Sequence, residues 1–339
     1  MNMRFVTCKE PPKQLSGRKI AIIGAGPAGL TAAGILVCKG HSIDVYDILP
    51  EPGGLLVFGI PTIRMPKDKI MEGINELERF GVRFILGKTI GKDIPFDRIL
   101  SEYDAVIIAT GAWKEVQPDV PGANARGVHL ALDFLLKVAL VERGHLERDK
   151  LPKVGRRVII IGGGNTAIDA AITSRHYGAE EVIIAYRRTR EHMPARETEI
   201  RTAEKAGVKF MFLVSPTRVI PDASESVKAI ELEEMTLGEP DASGRPQPVP
   251  TGRKTTIECD TVIFAIGQKP TPPFDDPGKY GIKVDSAGRI IVDENYATTR
   301  PGVFAIGDVV TGPKDIASAI KAAKVAAEAV DRYLAVMPR

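Results

Sequence analysis

Two segments of this chain repeat one local pattern, and that repetition restricts the fold more than any other feature. Residues 19–23 read as a buried strand, 24–29 as a glycine turn, 27–39 as a helix and 42–47 as a second strand. The same order recurs at 157–161, 162–167, 166–177 and 181–186, so that the turns open at Gly24 and Gly162, about 138 residues apart. A strand, a G-x-G-x-x-G turn, a helix and a parallel strand make the nucleotide-binding half of a doubly wound domain. The expected fold class is therefore α/β with two Rossmann-like dinucleotide-binding domains. The length of 339 residues suits that division, since single cores split beyond roughly 250–300 residues.

The remaining elements say how the two domains share the chain. Residues 104–110 read as a strand running into Ala109-Thr110-Gly111, followed by an amphipathic helix at 130–143 and a charged linker at 144–156. A matching strand at 261–266 closes the second unit. Before it, an antiparallel meander is expected around 227–237 and 254–257, with a Gly/Pro-rich turn at 238–252. A last strand at 302–306, then Gly307-Asp308 and a helix at 315–334 with Asp315 as N-cap, return the chain to its first domain. The expected division is 1–115 with 270–339, and an inserted 116–269 whose first part, 116–156, is helix and linker.

Each glycine of the first turn has a steric task. Gly24 makes the tight turn, Gly26 lets a pyrophosphate approach the backbone, and Gly29 lets the helix lie close to the strand. The anion would rest on the helix N-terminus. Asp47, at the end of the next strand, is placed to accept the hydroxyls of an adenosine ribose. In the second turn Gly162 and Gly164 take the first two roles and Ala167 the third. There the following strand ends in Arg187-Arg188 and no acid, which suits a ribose 2′-phosphate and so NADPH over NADH. The bland alternative for that pair is a solvated basic turn.

A flavin and a nicotinamide brought face to face exchange hydride by their own chemistry, so no catalytic side chain is expected. Cysteine chemistry is not expected either. Cys8, Cys38 and Cys259 form no C-x-x-C pair, Cys38 reads as a small buried apolar residue, and a disulfide reductase finds no support. No metal site is expected. The formal charge of +3 and dispersed basic residues argue against nucleic acid, and the absence of a long apolar run argues against a membrane span and for the cytoplasm.

The segments EPGGLLVFGIP from Glu51, GGGNTAIDAA…YRRTREHMPA from Gly162 and TTRPGVFAIGD from Thr298 closely resemble the small subunit of NADPH-dependent glutamate synthase. They are also similar to the FAD/NADPH region of dihydropyrimidine dehydrogenase and, more distantly, to ferredoxin–NADP reductases of the adrenodoxin reductase type. The resemblance implies that Gly24, Gly26, Pro27, Ala28, Gly29, Asp47, Gly54, Leu55, Ile60, Thr110, Gly111, Gly307, Asp308, Asp315 and Ile316 contact FAD. It implies that Gly162, Gly164, Asn165, Thr166, Ala167, Arg187, Arg188 and Gly267 contact NADPH. For residues 192–195 a nicotinamide contact and a structural loop stay equally open. The cysteine-rich iron–sulfur region of that subunit has no counterpart ahead of the first motif, Asn165 stands where the family often has Asp, and Lys321 to Lys324 replaces a Gly-Arg.

The leading expectation is an FAD-dependent NAD(P)H oxidoreductase that passes electrons to a protein partner, either a large subunit or a ferredoxin, in a homo- or hetero-oligomer. The runner-up is a self-contained reductase of ferredoxin or a small acceptor. A structural or regulatory FAD-binding subunit is the non-enzymatic alternative.

Overall fold

The computed structural model describes residues 3–241 and 244–338. They form two compact units. The first comprises Met1–Phe58, Thr62–Lys114 and Gln268–Arg339, and the second Gly59–Pro61 and Glu115–Gly267.

The first unit holds a five-stranded parallel sheet in the order Val303–Ala305, Ala105–Ile108, Lys19–Ile23, Ser42–Tyr46, Arg83–Ile85. The chain builds outward from Lys19–Ile23 through two neighbours, then crosses to its other side at Ala105–Ile108, and this reversal is the topological switch point. The central strands KIAII and AVII are apolar and buried beyond the exposed Lys19, as befits strands of a parallel sheet covered on both faces. Helix Asp68–Arg79 and the short strand Arg83–Ile85 complete one flank.

The second unit repeats this order with Val128–Leu130, Thr261–Phe264, Arg157–Ile161, Glu181–Tyr186, Val208–Phe212, again all parallel. Alternate residues of its strands serve different cores. Val158, Ile160, Val182, Ile184 and Ile263 face helices Ala131–Glu142 and Asn165–His176, while Ile159, Ile161, Ile183, Val262 and Phe264 face a second layer of Val219, Ile230 and Leu232.

That second layer is a three-stranded antiparallel sheet of Val214–Pro221, Val227–Pro240 and Pro246–Glu258. It corrects the turn expected at 238–252, which shrinks to the few residues between Pro240 and Pro246. The prolines that suggested a loop lie in an edge strand. Met235 gives its N–H to Leu213 O on the far side, so Pro250, the residue opposite it, faces a position that needs no donor. Pro246 and Pro248 share that side of the strand by the two-residue period.

The reading of the cysteines also needs correction. Cys8 and Cys38 are joined by a disulfide spanning 30 residues, and both are half-buried. The bond ties an N-terminal strap to the end of helix Pro27–Cys38. Phe5 and Val6 of the strap are buried, Arg4 pairs with Glu76, and the strap's backbone runs so close to two helices that a Cβ on Gly34 would stand 2.1 Å from Phe5 O and one on Gly73 2.0 Å from Met3 O. Cys259 alone is a free thiol, buried, with its pKa pushed up to about 12 by that burial.

A cross-link closing a loop of this size is worth about 3.6 kcal/mol in the chain-entropy account. Replacing Cys8 and Cys38 by Ser should lower the denaturant midpoint and steepen the slope slightly, because the unfolded chain then expands and exposes more surface. In wild type, a thiol reductant should reproduce the loss, and it should do nothing further to the variant.

Candidate functional site

At both switch points the same backbone geometry recurs. Gly24 has φ +113 and Gly162 φ +148, values closed to most side chains. A Cβ on Gly24 would stand 2.2 Å from Ala109 O, and one on Gly162 2.3 Å from Ala265 O. The strand-to-helix turn thus passes directly over the end of the strand across the switch. This brings Thr110-Gly111 to the first turn and Gly267 close behind the second.

Both following helices begin with a glycine N-cap and no side-chain cap, Gly26 for Pro27–Cys38 and Gly164 for Asn165–His176. Their first-turn N–H groups are left for an anion. A Cβ on Gly26 or Gly164 would meet nothing within 4 Å, while one on Gly29 would stand 1.9 Å from Gly24 O. The three glycines of the first turn therefore divide as expected, two serving the fold and one facing open space. Ala167, fully buried, holds the third place of the second turn.

Around the first turn the sequence-predicted residues converge. Gly53 N–H donates to Ala25 O at 2.8 Å, and a Cβ on Gly54 would come within 2.8 Å of Gly26 Cα, so the Gly53-Gly54-Leu55 arm lies on the turn. Asp47 is buried. Its Oδ2 accepts Ala25 N–H at 2.6 Å and its Oδ1 accepts Leu49 N–H at 2.8 Å, while burial raises its pKa against these bonds. Each oxygen retains a further lone pair for a hydroxyl. Thr110 Oγ1 is buried without a hydrogen-bond partner, and Gly307, the residue before Asp308, lies against Ala28, where a Cβ would stand 3.2 Å from Ala28 Cβ. Burial pushes the pKa of Asp308 up to about 6, although Lys314 N–H donates to its Oδ1. Asp315 caps the last helix, Ile316–Val336, by accepting Ser318 N–H at 2.8 Å.

An uncapped helix end, an orphaned buried hydroxyl, a buried acid and a half-buried one together fit a dinucleotide with a pyrophosphate and polyhydroxyl chain. Sequence reasoning missed Lys67. Its buried ammonium donates to Leu56 O at 2.7 Å and steadies the glycine arm, and nothing in the spacing of MPKDKI marks it.

In the second unit Asn165 is exposed and Thr166 half-buried at the helix start, and Tyr186 lies over the middle glycine of the turn, 2.6 Å from where a Gly163 Cβ would be. Arg187 is exposed. Arg188 is not; its side chain is 3% exposed, with Nε donating to Pro246 O and Nη2 to Asp241 Oδ2, each at 2.7 Å. The loop beyond returns to the turn, since Ala195 N–H donates to Gly163 O and Met193 and Ala195 are buried in the core. Arg190 holds Glu197 and Glu204 of helix Glu197–Lys205. Among the described residues no cluster of three His, Cys, Asp or Glu has metal-binding spacing, and no helix is long and apolar enough to cross a membrane.

Two such sites in one chain define the class, an FAD-dependent NAD(P)H oxidoreductase built from two dinucleotide-binding domains. A family model, pyridine nucleotide-disulphide oxidoreductase, matches residues 18–324, and the chain belongs to that family. It is 40% identical to the NADP(+)-dependent formate dehydrogenase subunit beta of Moorella thermoacetica, over 94% of this chain and 44% of that one. It is 36% identical to the glutamate synthase [NADPH] small chain of Escherichia coli, over 95% and 70%. The fold matches Mycobacterium tuberculosis FprA in complex with NADPH at a TM-score of 0.74 and 22% identity, over 94% of this chain and 84% of that one. The chain thus spans from under half to about two-thirds of the sequence relatives named.

Two outcomes follow from the geometry. Gly26→Val should fold with a near-normal melting temperature yet purify without flavin, whereas Gly24→Val should not fold, and melting curves beside flavin absorbance separate them. For Asp308, a folded pKa above the unfolded value means that its favourable contribution exists below about pH 4 and is lost as pH rises through about 6. Asp308→Asn should therefore raise the melting temperature of the apoprotein at pH 8 and leave it nearly unchanged at pH 4.

Proposed function

We propose that this chain binds FAD at its first glycine turn and NADPH at its second, and serves as the electron-input module of a larger redox assembly. The observation that carries the assignment is the contrast between two otherwise equivalent turns. One is followed by a buried acid, Asp47, and the other by an exposed guanidinium, Arg187. A carboxylate there suits two ribose hydroxyls and repels a 2′-phosphate, and a cation does the opposite.

Bound together, the two cofactors supply hydride transfer from nicotinamide C4 to flavin N5. The chain's own residues hold and orient. The uncapped N-termini at Pro27 and Asn165 take the pyrophosphates, Asp47 the flavin nucleotide's ribose, Thr110 and Asp308 the polar chain between ribose and ring, and Arg187 the 2′-phosphate. None of these side chains needs to transfer a proton.

Relatives named as subunits of a formate dehydrogenase, a glutamate synthase and an NADPH-Fe(3+) oxidoreductase differ in what they act on. That spread supports a shared module for exchanging electrons with NADPH, joined to a partner that sets the final acceptor. The chain alone should bleach anaerobically with NADPH and turn over slowly with ferredoxin. Brisk turnover with ferredoxin and no added subunit would favour the self-contained reductase.

One charge-assisted contact is worth roughly 1.5–3 kcal/mol, and exposure holds Arg187 to the lower end of that range. Arg187→Ala should raise the KM for NADPH about tenfold, leave that for NADH within twofold, and change the limiting rate of flavin reduction little. Stopped-flow reduction with each nucleotide makes the measurement, and equal efficiency of the two nucleotides in wild type would overturn the NADPH assignment.

A further inference from the structure

The buried Arg188 and the tip of the antiparallel hairpin form a contact that a bare dinucleotide fold does not need. Arg188 gives Nε to Pro246 O and Nη2 to Asp241 Oδ2, and its own carbonyl accepts Leu213 N–H at 3.1 Å. Leu213 O in turn accepts Met235 N–H at 2.7 Å, with Leu213 held at φ +56 and a register shift in the ladder between Glu233 and Met235. Both strands of the hairpin are thus laced to one residue. Asp241 is itself fixed: its Oδ1 accepts Arg245 N–H, and its N–H donates to Arg245 O.

We infer that Asp241 is a positioning residue for nucleotide specificity, clamping Arg188 so that its neighbour Arg187 presents its guanidinium from an immobile base. This rests on the reading of Arg187 as the 2′-phosphate ligand. Tyr186 holds the other side, with its ring against Gly163 and its hydroxyl donating to His192 O at 2.8 Å. Arg187 therefore lies between two anchored residues, and a cation ordered before binding loses less freedom when it meets a phosphate.

The alternative role for Arg188, direct contact with the phosphate, makes the opposite demand of Asp241. A carboxylate bonded to a phosphate-binding arginine competes with the ligand, so its removal would tighten NADPH. A carboxylate that clamps does the reverse. Asp241→Ala should raise the KM for NADPH about fivefold to tenfold, while the KM for NADH and the limiting rate of flavin reduction stay within twofold of wild type. Asp241→Asn, which keeps the shape and one acceptor, should lose less.

The experiment is stopped-flow flavin reduction of the FAD-loaded protein by NADPH and by NADH, with NADP+ binding by calorimetry, for wild type, Asp241→Ala, Asp241→Asn and Arg187→Ala. Unchanged or tighter NADPH binding in Asp241→Ala overturns the clamp, as does an equal loss for both nucleotides, which would mean general damage to the unit. The Arg187→Ala arm separates the two layers. If that variant keeps the wild-type preference, the reading of the phosphate site fails. If it loses preference while Asp241→Ala keeps it, only the clamp fails.

Discussion

Everything in this molecule depends on how closely one backbone crosses another. At each switch point the residue that ends the first strand has its α-carbon so near the carbonyl of the strand across the switch that no side chain fits, at Gly24 over Ala109 and at Gly162 over Ala265. The approach aims the following helix N-terminus into the crevice where strand order reverses. Were either glycine to carry a side chain, the turn would lift, and the helix would lose both its place on the sheet and its line on the phosphates. The chain solves this problem twice with the same local means, and the difference that bears on the ligand is what stands at the end of the second strand.

Burial then sets the chemistry of the first unit. Asp47 and Asp308 are both held where their charged forms are disfavoured, and backbone donors relieve each only in part. Such acids are a liability in a protein without ligand and an asset beside hydroxyls, because a desolvated acceptor gains most from a good donor. The unpartnered hydroxyl of Thr110 belongs to the same pattern.

How much of this was legible beforehand depends on the range over which each feature is decided. The strand–turn–helix units were readable because a run such as KIAII followed by spaced glycines is settled by residues near one another. The cap at Asp315 is likewise a local matter. The Cys8–Cys38 bond was missed because Cys8 lies in an irregular strap that no periodicity places against the helix. The burial of Arg188 was missed because its partners, Asp241 and Pro246, arrive from a hairpin more than fifty positions along the chain. Lys67 escaped for the same reason, its acceptor being a backbone carbonyl that any residue offers. The hairpin runs longer than its prolines suggest, because an edge strand accepts proline wherever the missing N–H would face its open side.

Those prolines carry a consequence of their own. An edge strand of thirteen residues ordinarily invites another chain to extend the sheet. Along Pro246–Pro250 every second residue lacks the donor that an incoming strand would have to meet, so this end of the edge resists pairing. The layer ends at three strands, and at this end of its edge a second copy of the protein finds no continuous ladder to extend.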